Sequence, residues 1–271
     1  MQAAIDEAEL TGAAKNPATV KLMADMQVAG EPNEYDIVEQ DILVDAGVIV
    51  LDLNGHTITG SDESGCVITI GYDDGETTAD ATLTIDDSSE GKQGKIIGVI
   101  NNQNSDLLWV QAGSKLIVNN GTFEGNGYGI SGGGESTSIT INGGAFKFGR
   151  TAIYPQNSSL TITGGTFEGS KYALHFNNAT KALITGGSFV GGEYDINTQQ
   201  ATEFLSFNEE TGVGPTFPGG FSIFNNNATS FTLNPLLAEG AAYYDANGNQ
   251  LTLADNATSF EGNITVKKVA D

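Results

Sequence analysis

The stretch Leu160-Thr161-Ile162-Thr163-Gly164-Gly165-Thr166-Phe167 decides the fold, because it recurs. Residues 116–123 (LIVNNGTF), 139–146 (ITINGGAF) and 182–189 (ALITGGSF) align with it without gaps. The closing phenylalanines, Phe123, Phe146, Phe167 and Phe189, are 23, 21 and 22 residues apart. A fixed period near 22 residues is the signature of a solenoid. In each copy a short strand alternates apolar and polar residues (Leu160 and Ile162 in, Thr161 and Thr163 out). A Gly-Gly or Asn-Gly corner follows, then the aromatic anchor. A second short strand comes a few residues later: Tyr128-Gly129-Ile130, Thr151-Ala152-Ile153, Tyr172-Ala173-Leu174 and Tyr194-Asp195-Ile196. Strands this short suit one coil of a parallel β-solenoid, with coils stacked about 4.8 Å apart.

Stacked coils predict columns of like residues. The phenylalanines form one, and Ile130, Ile153, Leu174 and Ile196 form another; both are expected to point inward. Asn119, Asn142, Thr163 and Thr185 make a polar column at the corner. Glu124, Lys147 and Glu168 alternate in sign, as neighbouring coils require. Looser copies lie at residues 51–58 and in the stretch ending Gly94-Lys95-Ile96, and residues 20–28 read as an alternating strand of a first turn. Residues 30–36, 71–80 and 86–94 read as loops. The period fades after about residue 200, and residues 241–267 read as a small β element with Asn247-Gly248 as a tight turn. Residues 2–11 read as a short amphipathic helix covering the open end of the solenoid. The fold class is therefore all-β, a parallel β-helix over residues 18–205. An N-terminal helical cap (1–17) and a C-terminal capping β segment (206–271) flank it.

Composition sets further bounds. Charged residues are 17% of the 271, against a usual share of about 25%. The net charge is -23, and 20 of the 34 acids lie in residues 1–90 beside only Lys15 and Lys21. That sign makes nucleic acid and polyanionic polysaccharide poor partners. No apolar run approaches 18 residues, so no membrane insertion is expected. No basic start followed by an apolar stretch marks a signal peptide. Cys66, the only cysteine, lies in an apolar strand pattern and reads as a buried thiol. The chain is expected to act as a monomer.

Residues 51–60 (LDLNGHTITG), 162–169 (ITGGTFEG) and 184–192 (ITGGSFVGG) resemble right-handed parallel β-helix modules of the pectate-lyase-like superfamily. They are most similar to repeats in large secreted or wall-bound proteins of gut Gram-positive bacteria. Residues 236–249 (LLAEGAAYYDANGN) are similar to the segment that often closes such modules. The resemblance spans residues 18–200 and this tail, and implies an extracellular or cell-surface location. It leaves function open, since the superfamily holds lyases, glycosidases, adhesins and binding modules.

The enzymatic parts of that superfamily are not legible. A calcium-dependent lyase needs clustered Asp ligands and a base. The only arginine, Arg150, has Gly127, Lys171 and Glu193 as column neighbours, with no Asp cluster. Gly55-His56-Thr57 matches only part of a polygalacturonase motif. Glu193 and Asp195, two apart, are the catalytic alternative: a carboxylate pair on one strand face for a polysaccharide-cleaving enzyme. His56 replaces a small corner residue and reads as structural. His175 sits one past an inward residue, in a column with Ser131, Tyr154 and Asn197. The small residues Gly129, Ala152 and Ala173, with Asp195, form a column two positions earlier. Tyr154, His175, Asn197 and Asp195 are therefore the expected ligand-binding residues. They would line a shallow groove suited to sugars, whose C–H faces pack on rings and whose hydroxyls need directional partners. Asp73, Asp74, Glu76 and Asp80 are oxygen ligands at a density suited to Ca²⁺, although no calcium-loop motif is present. No other cofactor is expected. The expected function is a non-catalytic surface module, adhesin-like or structural, with a glycan or host-surface component as its partner.

Overall fold

Alternation of apolar and polar residues in runs of three to six yields strands and almost nothing else. The computed structural model describes residues 1–28, 42–61, 66–73, 78–98, 103, 105–176, 180–198, 203–225 and 232–270. It is 52% strand and 5% helix. Successive strands go in turn to three sheets, so the chain winds as a parallel β-solenoid. The first sheet runs from Ala18–Lys21 to Lys181–Ile184 in seven parallel strands. The second includes Thr122–Gly125, Ala145–Phe148, Thr166–Gly169 and Ser188–Gly191. The third includes Asp106–Val110, Tyr128–Gly133, Thr151–Gln156, Tyr172–Phe176 and Tyr194–Thr198.

The register reproduces the expected columns. Phe123, Phe146, Phe167 and Phe189 are partners in successive coils. Their rings stack at 4.6, 5.0 and 4.8 Å between centroids and are buried. Met26, Ile58 and Ile96 continue this column in the earlier coils, and Ile130, Ile153, Leu174 and Ile196 form a second buried column. The Gly-Gly corner has a reason. Gly165 has φ +102, and a Cβ there would lie 3.2 Å from Phe167 Cζ. An L side chain disfavours that φ and would crowd the stacked ring. At the same corner Asn142 Nδ2 donates to Asn119 Oδ1 at 2.9 Å, and Thr163 Oγ1 donates to Asn142 Oδ1 at 3.1 Å. In the earlier coils carboxylates occupy this region instead. Fully buried Asp87 accepts from the backbone N–H groups of Gly55, Ser89 and Gly94. His56 lies in that turn, its Nδ1 3.4 Å from Asp25 Oδ1.

The helix Gln2–Glu9 buries Ile5 and Ala8 on the first coil. Gln2 donates to Leu43 O and accepts from Leu43 N, and Glu9 accepts from Asp45 N. Side chains of the helix thus satisfy edge-strand groups that would otherwise be open for pairing. Three expectations need correction. Residues 20–28 hold two strands, Ala18–Lys21 and Met26–Gln27, because the chain turns a corner between them. Within 71–80, Tyr72–Asp73 pairs antiparallel with Thr78–Ala79. Beyond residue 205 the winding continues for a further partial coil. Val213–Phe217 and Gly220–Asn225 add in parallel to the second and third sheets, and Phe217 follows Phe189 at 5.7 Å. Pro215 stands there in place of the second corner glycine, after Gly214, and Pro218 follows the ring. Antiparallel strands Ala241–Tyr244, Ser259–Glu261 and Ile264–Lys268 complete these two sheets.

Candidate functional site

Beside its buried Ile and Leu column the third sheet carries two further columns, of which Thr151, Tyr172, Ser131 and Asn197 are buried. The first comprises Asp106, Tyr128, Thr151, Tyr172 and Tyr194, and the second Trp109, Ser131, Tyr154, His175 and Asn197. Small Thr151 leaves room beside Tyr128, and Tyr154 of the next coil fills it. The Tyr128 and Tyr154 rings stack at 5.1 Å, and Tyr154 and His175 at 4.4 Å. His175 meets Tyr172 edge-on at 5.5 Å, and Tyr172 meets Tyr194 at 6.5 Å. Five rings from four successive coils thus form one interleaved ladder. Cations border it: the Arg150 guanidinium lies 4.6 Å from the Tyr128 ring centre, and the Lys171 ammonium 5.4 Å from that of Tyr172.

Ionisation follows from this packing. Burial holds His175 down at about 4, helped by Lys171 and Arg150, so its imidazole is neutral at pH 7. Burial pushes the Tyr128 hydroxyl up, against the pull of Arg150. Burial also raises Asp106 to about 6, although Ser131 and Arg150 favour its carboxylate. The Ser131 hydroxyl makes no hydrogen bond of normal geometry and is buried beneath the ladder.

Of the expected binding residues, the structure brings Tyr154, His175 and Asn197 into one column. Tyr154 and His175 are half-buried. Asn197 is only 2% exposed, with no hydrogen bond to its Oδ1, so it offers little surface. The expected groove floor is different. Ala152 and Ala173 are fully buried, because the strand bends so that two consecutive residues face the core. Asp195 follows them inward. Its carboxylate accepts from Gly191 N at 3.0 Å and from Ser222 N and Oγ at 2.8 and 3.1 Å. It ties the last coil to the strand Gly220–Asn225, and burial raises its pKa against those bonds. Glu193 precedes the strand, is exposed, and lines a cleft with Arg150 and Lys171. Asp195 lines a different cleft, against Phe221 and Ser222. The two carboxylates therefore line separate clefts.

Of the calcium candidates, Asp74 and Glu76 lie outside the described residues, Asp73 is described in its backbone only, and Asp80 is exposed. Among the described residues no three His, Cys, Asp or Glu side chains converge for a metal. Cys66 is buried, its Sγ 2.9 Å from Thr69 Oγ1.

Sequence reasoning missed Tyr128 and Tyr194 as half-buried members of the ladder and Tyr172 as its buried member. Strict alternation hides them, since each stands two positions before an inward Ile or Leu and would face inward with it; the strands instead bury consecutive residues after the tyrosine. No family model, curated protein or solved structure matches the chain.

Proposed function

We propose that this chain is a non-catalytic, adhesin-like module of an extracellular or cell-surface protein. It is a right-handed parallel β-helix of the pectate-lyase-like kind that holds a glycan along its third sheet. The right-handed sense is the one parallel crossovers adopt almost without exception. The observation that carries the binding reading is the five-ring ladder, which spans four coils, or about 14 Å at the strand spacing. Tyr128, Tyr154, His175 and Tyr194 are half-buried and Tyr172 is buried beside them; partly exposed rings in a row are typical of contact surfaces. Because Tyr128, Tyr154 and His175 stack on one another, they offer edges rather than open faces. Phenol hydroxyls and a neutral imidazole at ring edges donate and accept directional hydrogen bonds. A chain of sugar hydroxyls meets that requirement.

The test is an oligosaccharide array probed with the native protein and with a Tyr154→Ser/His175→Asn variant. These replacements copy the residues that stand in the same column one coil away, Ser131 and Asn197, so the coil tolerates them. The expected result is a defined set of bound glycans whose affinity falls at least tenfold in the variant. Equal binding by both proteins would move the site off this face. No binding to any glycan would leave the module a structural spacer.

A further inference from the structure

The charges beside the ladder break a rule that the neighbouring column obeys. Along the second sheet, the register partners Glu124, Lys147 and Glu168 alternate in sign, with Lys147 3.2 Å from Glu168, and Lys95, diagonal to Glu124 in the preceding coil, lies 3.9 Å from it. Beside the third sheet the corresponding column reads Gly127, Arg150, Lys171, Glu193. Its backbone ladder is explicit: Arg150 N donates to Gly127 O, Lys171 N to Arg150 O at 2.9 Å, and Glu193 N to Lys171 O at 3.0 Å. Two cations thus sit one above the other, about 4.8 Å apart at the backbone, in a chain with 11 basic residues against 34 acids. Like charges directly opposite destabilise a sheet. Here the pair includes the only arginine.

Three further features suit this pair to a ligand. Each cation is held against a tyrosine ring, which orders a side chain that is otherwise long and mobile. The two border a surface cleft of about 480 Å³ with Gln103, Gly149, Ser170 and Glu193. A second cleft of about 380 Å³ shares Gly149 and Ser170 with it and extends along the corner past Asn126. Two acids lie closest to the pair, Asp106, whose carboxylate Arg150 favours, and Glu193, which lines the cleft; the acidic N-terminal third lies farther off. Asp86 and Asp87 lie two coils before Arg150 and three before Lys171. That is roughly 10–14 Å, beyond the Debye length of about 8 Å at physiological salt.

We propose that Arg150 and Lys171 anchor a single anionic substituent, a carboxylate or a sulfate, of a glycan lying along the tyrosine ladder. This rests on the glycan-binding reading above and names its ligand class. A guanidinium fork takes either oxyanion in bidentate fashion, and the lysine adds a point charge. One anion fits, whereas a repeating polyanion extends into the acidic remainder of the surface and is repelled. Glu193 sets the limit on the cationic side.

The experiment measures binding of lactose, sialyllactose, 6-sulfated lactose and a linear oligouronide by calorimetry. It uses the native protein, Arg150→Gln, Lys171→Gln and the double variant, each checked by thermal melting. The expected result is at least tenfold preference for one or both singly charged sugars over lactose. Each single variant loses most of that preference and the double variant loses all of it, with lactose binding unchanged. Preference for sialyllactose alone assigns a carboxylate site, and for the sulfated sugar alone a sulfate site. A second readout, independent of affinity, is the His175 imidazole followed by NMR, whose pKa should rise when the anion offsets the two cations. Lactose bound as tightly as the charged sugars overturns the anion site and leaves the glycan reading standing. So does a preference that survives in the double variant, and so does an oligouronide bound as tightly as sialyllactose. No binding by any of the four, with a blank array, overturns both.

Discussion

At the scale of single residues, some side chains hold the coil and others stand on the face proposed to bind. Asp87 belongs to the first group. It is fully buried and accepts three backbone N–H groups that have no other acceptor in that turn. Burial alone would raise its pKa. The Ser89 hydroxyl and the N–H groups of Gly94, Ser89 and Gly55 outweigh it and hold the carboxyl below its usual value. Asp87→Ala leaves those donors unpaired and should cost about 3 kcal/mol, read as a lower urea midpoint. A loss under about 0.5 kcal/mol would show that water replaces the carboxylate. Tyr154 belongs to the second group. Tyr154→Ser removes two ring stacks, worth about 1–3 kcal/mol together. It should lower the melting temperature modestly while removing binding. The reverse outcome, unfolding with binding retained in the folded fraction, would make the tyrosine a packing residue.

At the scale of the element, one coil is a strand, a glycine corner, an aromatic anchor and a second strand. Phe167 stacks between Phe146 and Phe189 and touches two neighbouring coils. Phe167→Ala should therefore cost about 3–5 kcal/mol. Melting that stays cooperative would show that stability is shared across coils, whereas a separate early transition would show that the stack divides there. The coil was legible because Gly165 and its equivalents must be glycine for a geometric reason and Phe167 must recur to stack. Those constraints write themselves into the sequence at a fixed period. The partial coil through Phe217 was not legible, because Pro215 replaces the second corner glycine there and Phe217 comes 28 residues after Phe189, off the period of the earlier coils. Asp195 misled for a related reason. Strict alternation puts it outside, but the bend in third-sheet strands buries two residues in a row, and Ser222 arrives from 27 residues away to take its charge. The Tyr128–Tyr154 stack joins different columns in different coils, a diagonal that column-by-column reading does not test.

At the scale of the whole molecule, charge sets the behaviour. Asp106, raised to about 6 by burial, and Asp195 and Glu9, also raised mainly by burial, disfavour the folded state when ionised. Their protonation relieves that cost as pH falls toward the unfolded carboxyl value near 4. Asp52 works in the opposite sense. Burial raises it, but bonds from Ser88, Lys21 and Asn54 bring it to about 2, and Asp87 is also lowered. Their stabilisation is present above about 4 and is lost as pH falls from there toward 2. The self-repulsion of a chain of net charge -23 also eases as acids protonate. The melting temperature should therefore rise from pH 7.5 to about 5 and fall below about 4. A flat or falling profile between 7.5 and 5 would contradict the assignments of Asp106 and Asp195. The central claim is that the third sheet is the working face of the solenoid. NMR of the protein labelled in its aromatic rings, titrated with the best glycan from the array, tests it most directly. The account predicts shift changes at Tyr128, Tyr154, Tyr172, His175 and Tyr194, with the buried Phe123–Phe189 column still. Changes confined to another face, or none at saturating glycan, would contradict it.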